Sequence, residues 1–169
     1  MVPSSIILPQ RDLSLAIIPL NSNWQIQGLF LTSLISGPQT GTICSISYLI
    51  LGLFYLPVFH GGGSVGYILT HQFGYLLGFI PAGFICGLLA KRDPKTNLIN
   101  YSIYTFLSLS IIHIMGIVYL ILGNSFGNWK GNLLDLILIN TVIPLPTQLL
   151  FCLSISLFSI LLKRILILK

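Results

Sequence analysis

The chain has 169 residues, of which 54% are hydrophobic and only 7% are charged, with a formal net charge of +5. A soluble domain carries about 25% charged residues, so this composition excludes an ordinary water-soluble protein. No Asp, Glu, Lys or Arg occurs within residues 13–90, 96–129 or 136–162. Because a membrane-spanning helix needs about 20 mostly apolar residues, each of these stretches can hold at least one span.

The basic residues predict membrane topology rather than nucleic-acid binding. They cluster in a short hydrophilic loop at residues 91–95 and at the C-terminal end, residues 163–169. Short loops rich in Lys and Arg lie on the cytoplasmic side of a membrane, so we expect both clusters to be inside. A nucleic-acid site would mix basic and aromatic residues on a soluble face, and no such pattern is visible.

The first 20 residues are apolar but interrupted by Pro9, Arg11 and Asp12. A charged residue at the centre of a membrane helix costs about 2.5–3.5 kcal/mol on insertion scales. We therefore expect residues 1–20 to form only a partial first helix, or the native product to start upstream.

Residues 24–162 predict a bundle of helices. A short span at 27–35 ends at a Gly-Pro turn, a second span covers 42–59, and residues 65–72 are too short and polar to cross. Residues 73–90 form a span with glycines four apart, a spacing that lets helices approach closely in lipid, and Pro81 is expected to kink it. Residues 101–122 form the cleanest span. Residues 133–142 are expected to lie in the interface or fold back, before a proline pair opens the final span at 148–162.

These elements predict an all-α integral membrane protein, one membrane domain over residues 1–169 with about five to six transmembrane helices. Counting back from the cytoplasmic loop, we expect three segments to meet on the outer side, at residues 21–24, 60–72 and 123–148. They hold most of the polar and glycine-rich sequence. This arrangement favours a ligand site that opens to the outside.

Neutral polar side chains at the outer ends of the helices are the candidates for ligand binding, because amides and hydroxyls both donate and accept hydrogen bonds. They are Asn23, Gln27, Tyr67, Gln72, Tyr75 and Gln148. Each could instead bond a neighbouring helix. We favour a ligand role for Gln27 and Gln148, since polar groups within a membrane are costly and tend to be functional.

The histidines and cysteines predict no metal centre and no cofactor. His60 and His71 share one outer loop, whereas His113 lies in mid-span, where we expect a bundle-facing hydrogen bond. The three cysteines follow no metal-ligand spacing. An intramembrane enzyme is disfavoured because the usual paired acids, metalloprotease motif and Ser-Lys set are missing from the sequence. A structural accessory subunit is also disfavoured, because such a protein would not need a glycine-rich outer loop between its spans.

Two motifs carry a resemblance to a known family. Residues 56–63 read LPVFHGGG and residues 73–79 read FGYLLGF. This spacing resembles the BioY family, the biotin-binding S components of energy-coupling-factor (ECF) transporters. The order of further elements is similar: Ile-Pro-Leu at 18–20, Gln27, Gly-Pro at 37–38 and Pro-Leu-Pro at 144–146. The resemblance covers roughly residues 16–162 and implies an S-component bundle with a truncated first helix.

By this resemblance, the chain captures biotin outside the cell membrane and passes it across with a coupling membrane subunit and ATPase subunits. Another small vitamin is the alternative, because the final helix departs from the family. Gln148 stands at a usually acidic position and Phe151 at a usual lysine. Two further departures are the interrupted first helix, which in the family docks on the membrane partner, and Thr-His-Gln-Phe at 70–73 in place of the usual Gly-Pro-Thr-Gly.

Without that lysine, the biotin carboxylate needs another partner. Lys130 is the one Lys or Arg in the three outer segments. We expect Lys130 to meet the carboxylate, helped by His60 or His71 and by the backbone amides of Gly61, Gly62 and Gly63. The alternative for Lys130 is a solvated loop charge. Gln27 and Gln148 are then expected to face the ureido ring.

Overall fold

A computed structural model describes residues 5–9, 15–19, 24–59, 64–92, 97–127, 129 and 132–166, with side chains from residue 24 onward. Two strands come first, β1 (Ser5–Pro9) and β2 (Leu15–Pro19). Helices follow: α1 (Gln25–Ser36), α2 (Pro38–Phe54), a 3₁₀ helix (Val65–Leu69), α3 (Phe73–Leu77), α4 (Phe79–Arg92), α5 (Leu98–Ser125), α6 (Leu133–Ile137), a π-helical turn (Leu138–Val142) and α7 (Leu145–Ile165).

The N-terminal segment differs from the partial helix that we expected at residues 1–20. Strands β1 and β2 pair in antiparallel fashion, with Ser5 opposite Pro19 and Pro9 opposite Leu15. Pro9 removes a backbone donor that a helix would need, and the two flanking stretches are rich in isoleucine, which favours extended backbone. The bundle is therefore all-helical only from α1 onward within the described residues.

Helix α4 lies at the centre of the bundle, where it packs against α1, α2 and α5. Small residues allow this close packing. A Cβ atom added to Gly87 would lie 2.5 Å from the carbonyl carbon of Gly37 and the nitrogen of Pro38, in the turn between α1 and α2. A Cβ on Gly78 would lie 2.9 Å from the Cα of Ile112 in α5. The glycine spacing seen in the sequence therefore does bring helices together.

Three helical stretches are long and apolar enough to cross a membrane: Phe73–Arg92, Leu98–Ser125 and Leu133–Ile165. Their outward faces carry large apolar side chains such as Phe106, Leu150 and Phe158, which are 49%, 66% and 49% exposed. Small hydroxyl residues, in contrast, are buried between the helices, as Ser33, Thr105 and Ser156 are. Apolar surface outside and small polar residues inside are typical of helices packed within lipid. The chain is a multi-pass membrane protein.

The two expected interruptions of the helices have different outcomes. The chain does not fold back at residues 133–142, because α6 and the π-helical turn run on toward α7 as one apolar stretch of 33 residues. Proline is tolerated in the first turn of a helix, so Pro146 does not prevent this. The helix at residues 73–92 is interrupted at Gly78, which agrees with the kink expected from Pro81. Proline clashes with the carbonyl four residues earlier, which is that of Leu77, the last residue of α3.

Helices α5 and α7 run antiparallel, as three contacts along them show. His113 contacts Gln148, Thr105 contacts Ser156, and Tyr101 contacts Lys163. The start of α5 and the end of α7 therefore lie at the same end of the bundle. Lys91 and Arg92 end α4 just before α5, and Lys163 and Arg164 lie in the last turn of α7, so the described residues of these two basic clusters share one side of the protein.

The side of the membrane on which these clusters lie remains a prediction. With Cys44, the exposed native cysteine, replaced by serine, we expect a Gly66→Cys variant to react with an impermeant thiol reagent added outside whole cells. An Asp93→Cys variant should react only after the cells are opened. Outside labelling of position 93 alone would invert the topology.

Candidate functional site

Four polar side chains from separate elements meet inside the bundle, and we call them the internal polar group: Tyr75, His113, Thr141 and Gln148. The Nε2 atom of His113 lies 2.8 Å from Oε1 of Gln148. The hydroxyls of Tyr75 and Thr141 are 2.7 Å apart. The rings of Tyr75 and His113 meet edge to face with centroids 5.9 Å apart. Thus α3, α5, the π-helical turn and α7 converge on two hydrogen-bonded pairs, which the contact between the rings of Tyr75 and His113 joins.

A glycine on α5 makes room for this cluster. A Cβ on Gly116 would lie 2.4 Å from two ring atoms of Tyr75. Gly116 is three residues after His113, so both face the same neighbour on the helix. Tyr75 therefore lies flat against α5 with its hydroxyl free to reach Thr141. His113 and Gln148 are 6% and 7% exposed, which confirms our expectation of a bundle-facing hydrogen bond at His113.

Aromatic side chains stand on both sides of the glycine-rich loop in the sequence, with Phe59 before it and Tyr67 after it. Phe59, which precedes the loop, is 2% exposed and packs on Tyr67 with ring centroids 4.7 Å apart. Its ring also lies over Gly52, where a Cβ would be 2.1 Å away. The hydroxyl of Tyr48 donates to the carbonyl of Val58 at 3.1 Å. Residues on both sides of the loop are therefore held against the bundle.

Two of the predicted site residues, Tyr67 and Gln72, form a hydrogen bond with each other beside these aromatic side chains. The hydroxyl of Tyr67 donates to Oε1 of Gln72 at 2.8 Å. Burial raises the pKa of Tyr67, so the phenol keeps its proton and remains a donor. With Oε1 engaged by the phenol, the amide nitrogen of Gln72 is the part of this side chain that can donate to another group.

His71 lies apart from the internal polar group, beside Trp129, with ring centroids 6.3 Å apart and planes nearly perpendicular. Tyr119 connects the two segments, since its hydroxyl donates to the carbonyl of Ile68 and its ring lies 6.0 Å from that of Trp129. Desolvation by burial lowers the pKa of His71, so the imidazole is neutral at pH 7. It can offer an N–H to an anion but no positive charge.

Gln27 is buried in α1, at 5% exposure, on a helix that packs against α7. The two helices also meet through Trp24 and Phe151, whose ring centroids are 5.5 Å apart. Phe151, at the position where the family usually has lysine, is thus engaged in an aromatic contact. The remaining predicted site residues lie outside the described part of the chain: Asn23, His60, Gly61, Gly62, Gly63 and Lys130.

Two participants were missed by sequence reasoning. Thr141 bonds Tyr75 across 66 positions of sequence, and nothing local in the sequence points to this contact. Trp24 contacts Phe151, and nothing in the sequence indicates this pair either. No group of three His, Cys, Asp or Glu side chains suited to a metal ion occurs among the described residues.

Comparison with solved structures identifies the fold. A crystal structure of the S-component for biotin from an ECF-type ABC transporter is similar to this chain with a TM-score of 0.70, at 23% identity, over 88% of this chain and 76% of that one. The protein therefore has the fold of an ECF S component, a membrane-embedded helical bundle.

Comparison with sequences identifies the family. The profile of the BioY family matches residues 6–167. The "Probable biotin transporter BioY" of Lysinibacillus sphaericus is 30% identical over 133 residues, 78% of this chain and 67% of the relative. The "Biotin transporter BioY" of Thermotoga maritima is 32% identical over 120 residues, 69% of each chain. The chain belongs to the BioY family.

Proposed function

We propose that this protein is the substrate-binding subunit of a biotin uptake system, which takes biotin from outside the cell membrane. Family membership supports this proposal, and the observation that carries it is the internal polar group. Buried neutral donors and acceptors beside aromatic side chains suit a ligand with an uncharged polar ring, and small-molecule sites are mostly apolar with few placed polar groups. The ureido ring of biotin is such a group.

Transport itself needs partners under this proposal. The sequence contains no phosphate-binding loop of the Gly-x4-Gly-Lys-Ser/Thr type, so ATP hydrolysis would come from separate ATPase subunits joined through a coupling membrane subunit. The purified protein alone should bind biotin but not transport it.

The function is tested by vitamin binding to the detergent-extracted protein. Biotin should co-purify with it or bind on titration, whereas thiamine and riboflavin should not compete. Competition by another vitamin, with no biotin bound, would overturn the substrate assignment.

The proposed carboxylate partner gives a separate prediction. Lys130 follows Trp129, which contacts His71, so these contacts place residue 129 beside the outer segment at residues 64–72. Because an unpaired carboxylate in a dry site costs several kcal/mol, the wild type should bind biotin more tightly than biotin amide. Lys130→Ala should lose that preference while still binding both ligands through the ureido ring.

Isothermal titration with both ligands measures this preference, with Lys91→Ala, at the opposite end of the bundle, as the matched control. An equal preference in the wild type and in Lys130→Ala would return Lys130 to the role of a solvated loop charge. The carboxylate would then be bound by backbone amides or a neutral histidine.

A further inference from the structure

One ring nitrogen of His113 is paired inside the bundle and the other is not. Nε2 bonds Gln148, whereas Nδ1 is buried and has no hydrogen-bond partner among the described residues. The hydroxyl of Tyr75, whose ring contacts His113, is already paired with Thr141. A buried polar atom without a partner is costly, and most such atoms in proteins are paired. The described residues therefore leave this nitrogen without the hydrogen-bond partner that a buried polar atom normally has.

The hydrogen bond between His113 and Gln148 constrains what the pair can offer. If Nε2 carries the proton, it donates to Oε1 of Gln148; Nδ1 is then an acceptor and the Gln148 amide nitrogen is a donor. If the proton is on Nδ1, the Gln148 amide is turned over and donates to Nε2; Nδ1 is then a donor and Oε1 an acceptor. In both arrangements the pair presents one donor and one acceptor.

A ureido ring presents matching groups. It carries two N–H donors beside one C=O acceptor, so it can satisfy both the donor and the acceptor of this pair. We propose that His113 contacts the ligand directly through Nδ1, and that His113 and Gln148 together bind the ureido ring of biotin. This inference rests on the proposed function. It assigns a substrate contact to His113 where a purely structural role was expected.

The pair also explains how a neutral residue serves at position 148. A carboxylate there would supply acceptors only. Gln148 with His113 supplies one acceptor and one donor without any net charge. The proposed recognition of the ureido ring thus uses two neutral side chains, one on α5 and one on α7.

Two substitutions at position 113 separate a ligand contact from a structural role. The amide of glutamine reaches the place of Nε2, whereas the shorter amide of asparagine reaches the place of Nδ1. His113→Gln keeps the bond to Gln148 and loses the Nδ1 contact, so its biotin affinity should fall about 10- to 100-fold. His113→Asn keeps a polar atom at Nδ1 and should lose less affinity. If His113 only positions Gln148, His113→Asn should lose more biotin affinity than His113→Gln. That result would overturn the inference.

Biotin amide tests which group of biotin contacts Nδ1, because it keeps the ureido ring and lacks the carboxylate. His113→Gln should weaken binding of biotin and of biotin amide by the same factor. A loss seen for biotin but not for its amide would place Nδ1 at the carboxylate and overturn the ureido assignment.

Failure of the inference is distinguishable from failure of the proposed function. A wild-type protein that does not bind biotin contradicts the function, whereas a wild type that binds and a folded His113→Gln that binds equally well contradicts the inference alone. If His113→Gln does not fold, wild-type protein labelled with ¹⁵N-histidine decides. Addition of biotin should shift the Nδ1 resonance of His113, and an unchanged resonance in the biotin-bound protein would overturn the contact.

Discussion

Replacement of Gly87 by alanine should lower the stability of the bundle by about 1–3 kcal/mol, the usual cost of forcing an extra methyl group into a packed interior. The added Cβ would lie 2.5 Å from the carbonyl carbon of Gly37 and from the nitrogen of Pro38. These atoms belong to backbone in a turn, where Gly37 has a φ of +85° and Pro38 has a ring-fixed φ. Neither can swing aside as a flexible side chain would, so α4 must move away from α1 and α2.

Gly28→Ala is the matched control. Gly28 lies in α1, and a Cβ there would meet nothing within 4 Å. In a helix interior, alanine is favoured over glycine by about 0.5–1 kcal/mol, so this variant should unfold at the same or a higher temperature than the wild type. Thermal unfolding of the detergent-solubilised variants compares the two. Equal loss of stability in both would show that α4 does not approach the turn as closely as described.

Gln148→Leu should weaken both the stability of the bundle and ligand binding. Leucine removes the partner of His113 Nε2, so neither ring nitrogen of this buried imidazole would then have a hydrogen-bond partner among the described residues. Loss of one buried hydrogen-bond partner costs about 1–3 kcal/mol in stability. Under the proposed function the ureido ring also loses a partner, and biotin affinity should fall about 10- to 100-fold.

Ser154→Ala is the control for this variant. Ser154 lies on the exposed face of the same helix and its hydroxyl bonds only the carbonyl of Leu150 among the described contacts, at 3.0 Å. It should change neither the unfolding temperature nor the affinity for biotin. The two readouts test different statements, because the stability loss depends on the fold and the affinity loss on the proposal. A stable Gln148→Leu protein with unchanged affinity would remove Gln148 from the site.

The sequence was sufficient to predict features that are local or compositional. The uncharged stretches predicted the spans, and the glycines four apart predicted close packing, which Gly78 and Gly87 confirm. The polarity of His113 within an apolar helix predicted its bundle-facing bond. Each of these follows from the cost of placing polar or bulky groups in lipid, which acts on a residue whatever its partner is.

Pairings between distant residues could not be predicted in the same way. Nothing local at Thr141 specifies Tyr75, and nothing at Phe151 specifies Trp24; helix rotation and the angles between helices decide both contacts. The first 20 residues show the complementary difficulty. Their apolar composition resembles that of a membrane helix, and apolar content alone does not reveal that β1 pairs with β2.

The π-helical turn at Leu138–Val142 also affects the register between α6 and α7. The amide of Ile143 bonds the carbonyl of Leu138 at 3.0 Å, five residues back rather than four, so this turn holds one more residue than an α-helical turn. In an α-helix one added residue would rotate the following segment by about 100°, and the wider π-helical turn absorbs this rotation locally. Deleting a single residue here would therefore restore an ordinary α-helical turn and keep α6 and α7 in their present relative rotation, while Thr141, inside the turn, would shift relative to Tyr75. In alignments with relatives, a one-residue gap in this segment marks a change between a π-helical and an α-helical turn, and residues on its two sides should be matched separately.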